Sequence, residues 1–243
     1  MTKELEGRTV LITGAARRIG RVFSLGVARA GGNVIIHHGH SSTDAQDLQA
    51  EITSLGVRAY LIQADLADPH QSADLIPRAS EFGPIYGLVN NAAIFEPLTL
   101  ATTQFPAWER HMAVNLTAPF LLCQAFARQM PSGEAGRIIN ILDWRALHPA
   151  ADHLPYTISK AALAALTQSL AVALAPNISV NGLALGAILL PSDGESTACI
   201  LSSVPADRWA KLDELTQALL FLLTGPAYIT GEIIHLDGGR HLI

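Results

Sequence analysis

Cysteine is nearly absent: Cys123 and Cys199 are the only two in 243 residues. Two thiols are too few to staple a chain of this length, so a disulfide scaffold is excluded and reduced thiols in a reducing compartment are expected. Cys123 lies in an apolar helical run, where a buried and inert thiol is the expected reading. Charge is also sparse, at 15% of residues with a formal net charge of −5, and no run of lysine or arginine exceeds a pair. Neither nucleic acid nor an anionic membrane is therefore an expected partner, which leaves a small molecule. The start, Met1-Thr2-Lys3-Glu4-Leu5-Glu6, lacks the basic and apolar stretches of a secretory signal, and no uninterrupted apolar run reaches membrane-spanning length. These absences predict a soluble, cytoplasmic protein.

What the chain does have is apolar mass, 49% of its residues, arranged as short runs alternating with longer segments of helical period. That alternation is the pattern of βα units in a parallel sheet. Strands are predicted at Thr9–Ile12, Asn33–His37, Ala59–Gln63, Gly87–Asn90, Arg137–Ile141, Ser179–Leu183 and Ile233–His235. Helices are predicted near Gly20–Ala30, Ala45–Leu55, Gln71–Glu81, Gln104–Gln129, Tyr156–Leu174 and Lys211–Leu223. With no linker or repeat, residues 1–243 read as one α/β domain, a Rossmann-like, doubly wound, seven-stranded parallel sheet flanked by helices. Ligands bind such sheets beyond the carboxyl ends of the strands, so chemistry is sought there.

The first strand runs into Thr13-Gly14-Ala15-Ala16-Arg17-Arg18-Ile19-Gly20 and then a helix. Small residues in that turn let the backbone approach a pyrophosphate, and the helix N-terminus supplies oriented N–H groups. The second strand ends in His37-His38-Gly39-His40-Ser41-Ser42, without the carboxylate that binds the ribose of NAD. His40, Ser41, Ser42 and Arg17 are instead donors for a 2′-phosphate, which favours NADP(H). A metal site at the histidines is disfavoured: no cysteine joins them, and Asp44 serves equally as the cap of the next helix.

Several motifs in order resemble the short-chain dehydrogenase/reductases over nearly the whole length: Thr13-Gly14…Gly20, Asp65-Leu66, Asn90-Asn91-Ala92-Ala93, Asn115, and Tyr156-Thr157-Ile158-Ser159-Lys160. The resemblance implies a cofactor site comprising Thr13, Gly14, Arg17, Arg18, Ile19, Gly20, His38, His40, Ser41, Asp65, Leu66, Asn91, Ala92, Gly186 and Ile188. It also implies that Tyr156 donates a proton, Lys160 binds the nicotinamide ribose, and Asn115 supports a relay water, while a 4-pro-S hydride is transferred. Tyr156 and Lys160, at i and i+4, share one helix face, so the ammonium, with the positive nicotinamide of the oxidised cofactor, is expected to lower a phenol pKa that is ordinarily about 10.

The chain departs from this pattern at Asp143, which stands where most members carry a carbonyl-polarising serine. An ionised aspartate only accepts hydrogen bonds, so it suits the amino and ring N–H groups of a pterin, or acts on a carbonyl when protonated. Asp143, Arg18 in place of a glycine, Phe95 as a stacking aromatic, and the ending Leu236-Asp237-Gly238-Gly239-Arg240-His241-Leu242 together resemble the pteridine and dihydromonapterin reductases. The implied substrate is a dihydropterin, or dihydrofolate, held by Arg18, Phe95, Asp143, Tyr156 and Trp209. A ketone or 3-oxoacyl reductase is the alternative, and a non-catalytic NADP(H)-binding regulator is the alternative of another class. Residues 189–210, with Pro191, Asp193-Gly194, Pro205 and Trp209, read as a substrate lid; Leu185 and Leu190 depart from the family's usual residues beside it. The resemblance further implies a homotetramer.

Overall fold

A computed structural model describes residues 3–131, 133–190 and 200–243. Pro191, Asp193, Gly194 and Cys199, the middle of the expected lid, lie outside the described residues. Seven strands form one sheet: β1 Thr9–Ile12, β2 Asn33–His38, β3 Ala59–Gln63, β4 Gly87–Asn90, β5 Gly136–Asp143, β6 Ile178–Leu185 and β7 Ile233–Leu236. Their order is β3-β2-β1-β4-β5-β6-β7, and every neighbouring pair is parallel. β1, β2, β4 and β6 are buried along their whole length, which is why β1 and β2 carry the consecutive apolar residues Val10-Leu11-Ile12 and Val34-Ile35-Ile36. β5 and β6 extend beyond their expected ends to Asp143 and Leu185, because eight residues of each pair in register.

Helices cover both faces: α1 Arg18–Arg29, α2 Ser42–Ser54, α3 Pro69–Ala79, α4 Phe105–Met112, α5 Ala118–Gln129, α6 Leu154–Leu174 and α7 Leu212–Thr224. Phe23, Leu48, Ile52, Leu215 and Leu219 join one core with the first face of the sheet. Leu75, Ile76, Leu122, Phe126 and Ala171 join the other. The single helix expected over Gln104–Gln129 is divided by a π-helical turn at Ala113–Thr117. Pro119 has no N–H to give the carbonyl of Asn115 four residues back, so a regular ladder is interrupted there. α6 is long and apolar enough to cross a membrane by length and composition. It carries buried Tyr156 and Lys160 and packs against β6, as a core helix does.

The order reverses between β1 and β4, so the crevice beyond their carboxyl ends is where a ligand is expected. A cavity of about 500 Å³ lined by Lys3, Arg29, Asn33 and Arg58 lies at the opposite, amino ends of the strands, remote from that crevice.

Candidate active site

The turn after β1 is fixed from three sides. The Thr13 hydroxyl accepts the N–H groups of Asn91 at 2.9 Å and Ala92 at 3.0 Å, tying β1 to the end of β4. The Asn91 amide returns two bonds, to the carbonyls of Thr13 at 2.8 Å and Gly14 at 3.2 Å. On the other side the Gly14 N–H donates to Nδ1 of His37 at 3.1 Å, and Nε2 of His37 lies 3.1 Å from the Ala64 carbonyl after β3. These contacts select the Nε2–H tautomer. Burial pushes the pKa of His37 down to about 4, so the ring is neutral. Gly14 has φ +60°, and a Cβ there would lie 3.0 Å from Ala92 Cα, so glycine meets both the conformation and the close approach. Motif reading places His37 at the end of the second strand without giving it a role; its signal is a histidine inside an otherwise apolar strand.

Arg18 opens α1 with φ +49°, a strained value for a side chain with a Cβ, and its guanidinium donates to the Leu190 carbonyl at 3.2 Å. Arg17 departs from expectation. Its Nε donates to Asp44 on α2 at 2.6 Å, so its charge is committed to an ion pair. Asp44 does not cap α2, whose N-cap is Ser41; that pairing is what it does instead. Beside Ser41, a cleft of about 290 Å³ opens past β2 and β3, lined by Gly39, His40, Gln63, Asp65, Gln71 and Arg78. Arg78 is the cation in that cleft that motif reading missed. The ring of buried His38 lies 3.3 Å from the Gly39 carbonyl, and buried Leu66 belongs to the core. Ile19 and Ile188 pack in or against the other core, while Gly186, just after β6, donates its N–H to the Leu236 carbonyl. The turn, the N-terminus of α1 and the cleft form one track that fits a dinucleotide: small backbone for the pyrophosphate, then His40 and Arg78 for a phosphorylated ribose.

The second half of the crevice is built on β5 and α6. Asp143, the last residue of β5, accepts the Tyr156 hydroxyl on Oδ2 at 3.0 Å and the Arg145 N–H on Oδ1 at 2.9 Å. Lys160 donates to the Ile141 carbonyl at 2.6 Å, and Nζ lies 5.8 Å from the Tyr156 ring centroid. Asn115, in the π-helical turn, binds both backbone groups of Ile94 and donates to the Ser159 hydroxyl at 3.0 Å. Thus α6 presents Tyr156 and Lys160 on one face, as the spacing predicts, with Asp143 and Asn115 on either flank.

Without the cofactor's charge, the protein's own groups act on the phenol in the other direction. Burial first, then the Asp143 charge and hydrogen bond, raise the Tyr156 pKa well above 10 rather than letting Lys160 lower it. Burial pushes Lys160 down to about 8 against the pull of Asp143, and burial raises Asp143 above the usual carboxylate range. The phenol therefore holds its proton across the neutral range.

Phe95 is half exposed, stacks on the His153 ring with centroids 4.0 Å apart, and meets the Tyr156 ring edge-on at 4.7 Å. It lies at the pocket rather than in the core. His153 takes a left-handed conformation, φ +52°, at the start of α6 and bonds Asp152, which also pairs with Arg145. Motif reading missed His153, Trp144 and Arg145; the signal for the last two was their place just beyond the end of β5. Trp209 is half-buried, next to Ala210, whose N–H bonds the Ala187 carbonyl past β6. Among the described residues, no ring contact joins Trp209 to Tyr156 or Phe95.

Residues 8–198 match the family model of the short chain dehydrogenases. A curated L-rhamnose 1-dehydrogenase (NAD(P)(+)) from Sphingomonas sp. is 34% identical over 250 residues, covering 99% of this chain and 98% of that protein. Among solved structures, FolM alternative dihydrofolate reductase 1 from Brucella canis, complexed with NADP, is 36% identical with a TM-score of 0.90, covering 98% of this chain and 95% of that one. A short chain dehydrogenase from Burkholderia cenocepacia in complex with NADP is 35% identical with a TM-score of 0.92, covering 98% and 99% of the two chains.

Proposed function

The chain belongs to the short chain dehydrogenase family, and from that premise we propose that it is an NADPH-dependent reductase of dihydropterins. It is an NAD(P)-dependent oxidoreductase; the choice of phosphorylated cofactor and the substrate class are the steps beyond that. NADP(H) is favoured because the cleft after β2 and β3 offers His40 and Arg78, and because the carboxylate nearest Ser41, Asp44, is already neutralised by Arg17. NADP is the ligand named for the Brucella and Burkholderia relatives.

When bound, the cofactor supplies the hydride. The residues do the rest: Tyr156 holds a proton for the reacting nitrogen, and Lys160 fixes the buried side of the pocket and carries a positive charge up to about pH 8. Asn115 braces Ile94 and Ser159 around the helix that carries Tyr156. Asp143 accepts from the amino and ring N–H groups of the substrate, Phe95 stacks on its flat face, and Arg18 spans the cofactor and substrate sides.

The observation that carries the reading is the Asp143–Tyr156 hydrogen bond, a carboxylate where a carbonyl reductase needs a neutral donor. NADPH oxidation with dihydrobiopterin and dihydromonapterin, beside a diketone and a 3-oxoacyl thioester, tests it. Turnover of the ketones alone would replace this reading with the carbonyl reductase, and tight NADPH binding without any turnover would favour the regulator. Asp143→Ser is expected to abolish most pterin turnover and to raise ketone turnover. The assembly proposed is a homotetramer in the cytoplasm. Phe105, Phe120 and Val172 on α4, α5 and α6 are exposed apolar side chains that an interface between copies would cover.

A further inference from the structure

Two guanidinium groups stand over one indole beside Asp143. The Arg240 guanidinium carbon lies 4.2 Å from the Trp144 ring centroid, and that of Arg145 lies 5.0 Å from it and 5.9 Å from the centroid of Phe95. The Nε atoms of both arginines are buried without a hydrogen-bond partner. Among the described residues, the neighbouring carboxylates are already engaged. Asp237 accepts from the N–H groups of Gly239 and His241 and from the His241 ring. Asp143 accepts from Tyr156 and the Arg145 N–H, and Asp152 pairs with Arg145 and His153. No ion pair involves Arg240 among the described residues. Burial and the nearby Arg145 charge lower its pKa, against the pull of Asp143, Asp152 and Asp237, none of which bonds it.

Two cations brought together at partial burial repel each other unless an anion joins them. The phosphates of a dinucleotide do not serve here, because their track runs over the turn after β1 and the cleft past β2 and β3, whereas Trp144 and Arg240 follow β5 and β7. We propose that Arg145 and Arg240, stacked on Trp144, form a carboxylate-binding corner of the substrate pocket, so that the substrate is an acid with an anionic arm as well as its reducible group. Planar guanidinium groups match a carboxylate by paired N–H donors, and the indole and Phe95 rings offer a flat path between that corner and the Tyr156 hydroxyl. The corner rests on the proposed reading only in taking Tyr156 and Asp143 as the reacting end.

Calorimetric titration of the NADP-loaded protein with p-aminobenzoylglutamate, an aryl dicarboxylate with no reducible ring, tests the corner without needing turnover. Wild-type protein is expected to bind it with an affinity that falls as salt rises, and Arg240→Gln to weaken it by roughly tenfold or more. The corresponding uncharged diamide should show no difference between the two proteins. Equal binding of the dicarboxylate by wild type and Arg240→Gln, or no binding by wild type, overturns the proposal. Where pterins are turned over, Arg240→Gln should also raise the ratio of KM for dihydrofolate, which carries carboxylates, to KM for dihydrobiopterin, which carries none. An unchanged ratio overturns it too. Failure of pterin turnover alongside salt-sensitive, Arg240-dependent binding would reject the substrate ring and keep the acidic arm.

Discussion

A carboxylate in hydrogen-bond contact with the Tyr156 phenol sets the charge balance around it, because three titrating side chains lie together there. Tyr156 is held protonated well beyond neutrality, Lys160 loses its charge near about pH 8, and Asp143 protonates above the usual carboxylate range. The kcat/KM profile of the free enzyme should therefore fall on the acid side as Asp143 gains its proton and on the alkaline side near about pH 8 as Lys160 loses its own. Lys160→Arg, whose guanidinium stays charged, should lower the rate and remove the alkaline limb; an alkaline limb that persists there would assign it to another group. Arg18 offers a second test at this scale. Its positive φ costs a residue with a Cβ about 1 kcal/mol, and its contact with the Leu190 carbonyl is exposed. Arg18→Gly should raise stability to chemical denaturation by about 1 kcal/mol while lowering pterin turnover, if the strain is kept for the site. A gain in stability with no loss of turnover would make Arg18 a surface charge.

The ends of the elements, more than their middles, build the site, and they were also where the sequence was hardest to read. Runs such as Val34-Ile35-Ile36 are apolar on both faces, so burial and strand coincide and the sheet was legible almost residue by residue. The Tyr156–Lys160 pair was legible because helical spacing alone puts both on one face. The π-helical turn at Ala113–Thr117 was not, since apolar periodicity runs through it unbroken and only Pro119 marks the interrupted ladder. Nor was the Trp144–Arg145–Arg240 corner, whose parts come from two distant stretches that meet only when β5 and β7 flank β6. His37 belongs to the same class: it occupies a strand position yet fastens two loops. His37→Ala leaves the Gly14 N–H and the Ala64 carbonyl without their partner and opens a cavity, at a cost of about 3 kcal/mol. NADPH affinity should fall by roughly tenfold, as the phosphate turn loses one of its three supports; fluorescence titration checks this, and unchanged affinity would show that Thr13 and Asn91 hold the turn alone.

At the scale of the whole molecule, two buried groups on opposite halves of the crevice give the fold opposing responses to acid. His37 has a folded pKa of about 4 against an ordinary 6.5, so its contribution to stability is complete above pH 6.5 and is lost as pH falls towards 4. The full loss is about 3 kcal/mol, because each pKa unit is worth about 1.4 kcal/mol. Asp143 has the reverse sign: its raised pKa means that the folded protein binds a proton before the unfolded chain does, so stability rises as pH falls through its folded value. Below the ordinary carboxylate pKa that gain is complete, and part of the His37 loss is offset. The wild-type stability curve between pH 6.5 and 4 should then be shallower than that of Asp143→Asn, which retains the His37 loss without the opposing gain. Removing His37 as well should flatten the curve again. Urea unfolding of the three proteins across this window measures the slopes. Parallel slopes for wild type and Asp143→Asn would mean that the carboxyl of Asp143 titrates alike in the folded and unfolded chains, and so is not the desolvated acceptor on which both the Tyr156 contact and the pterin assignment depend.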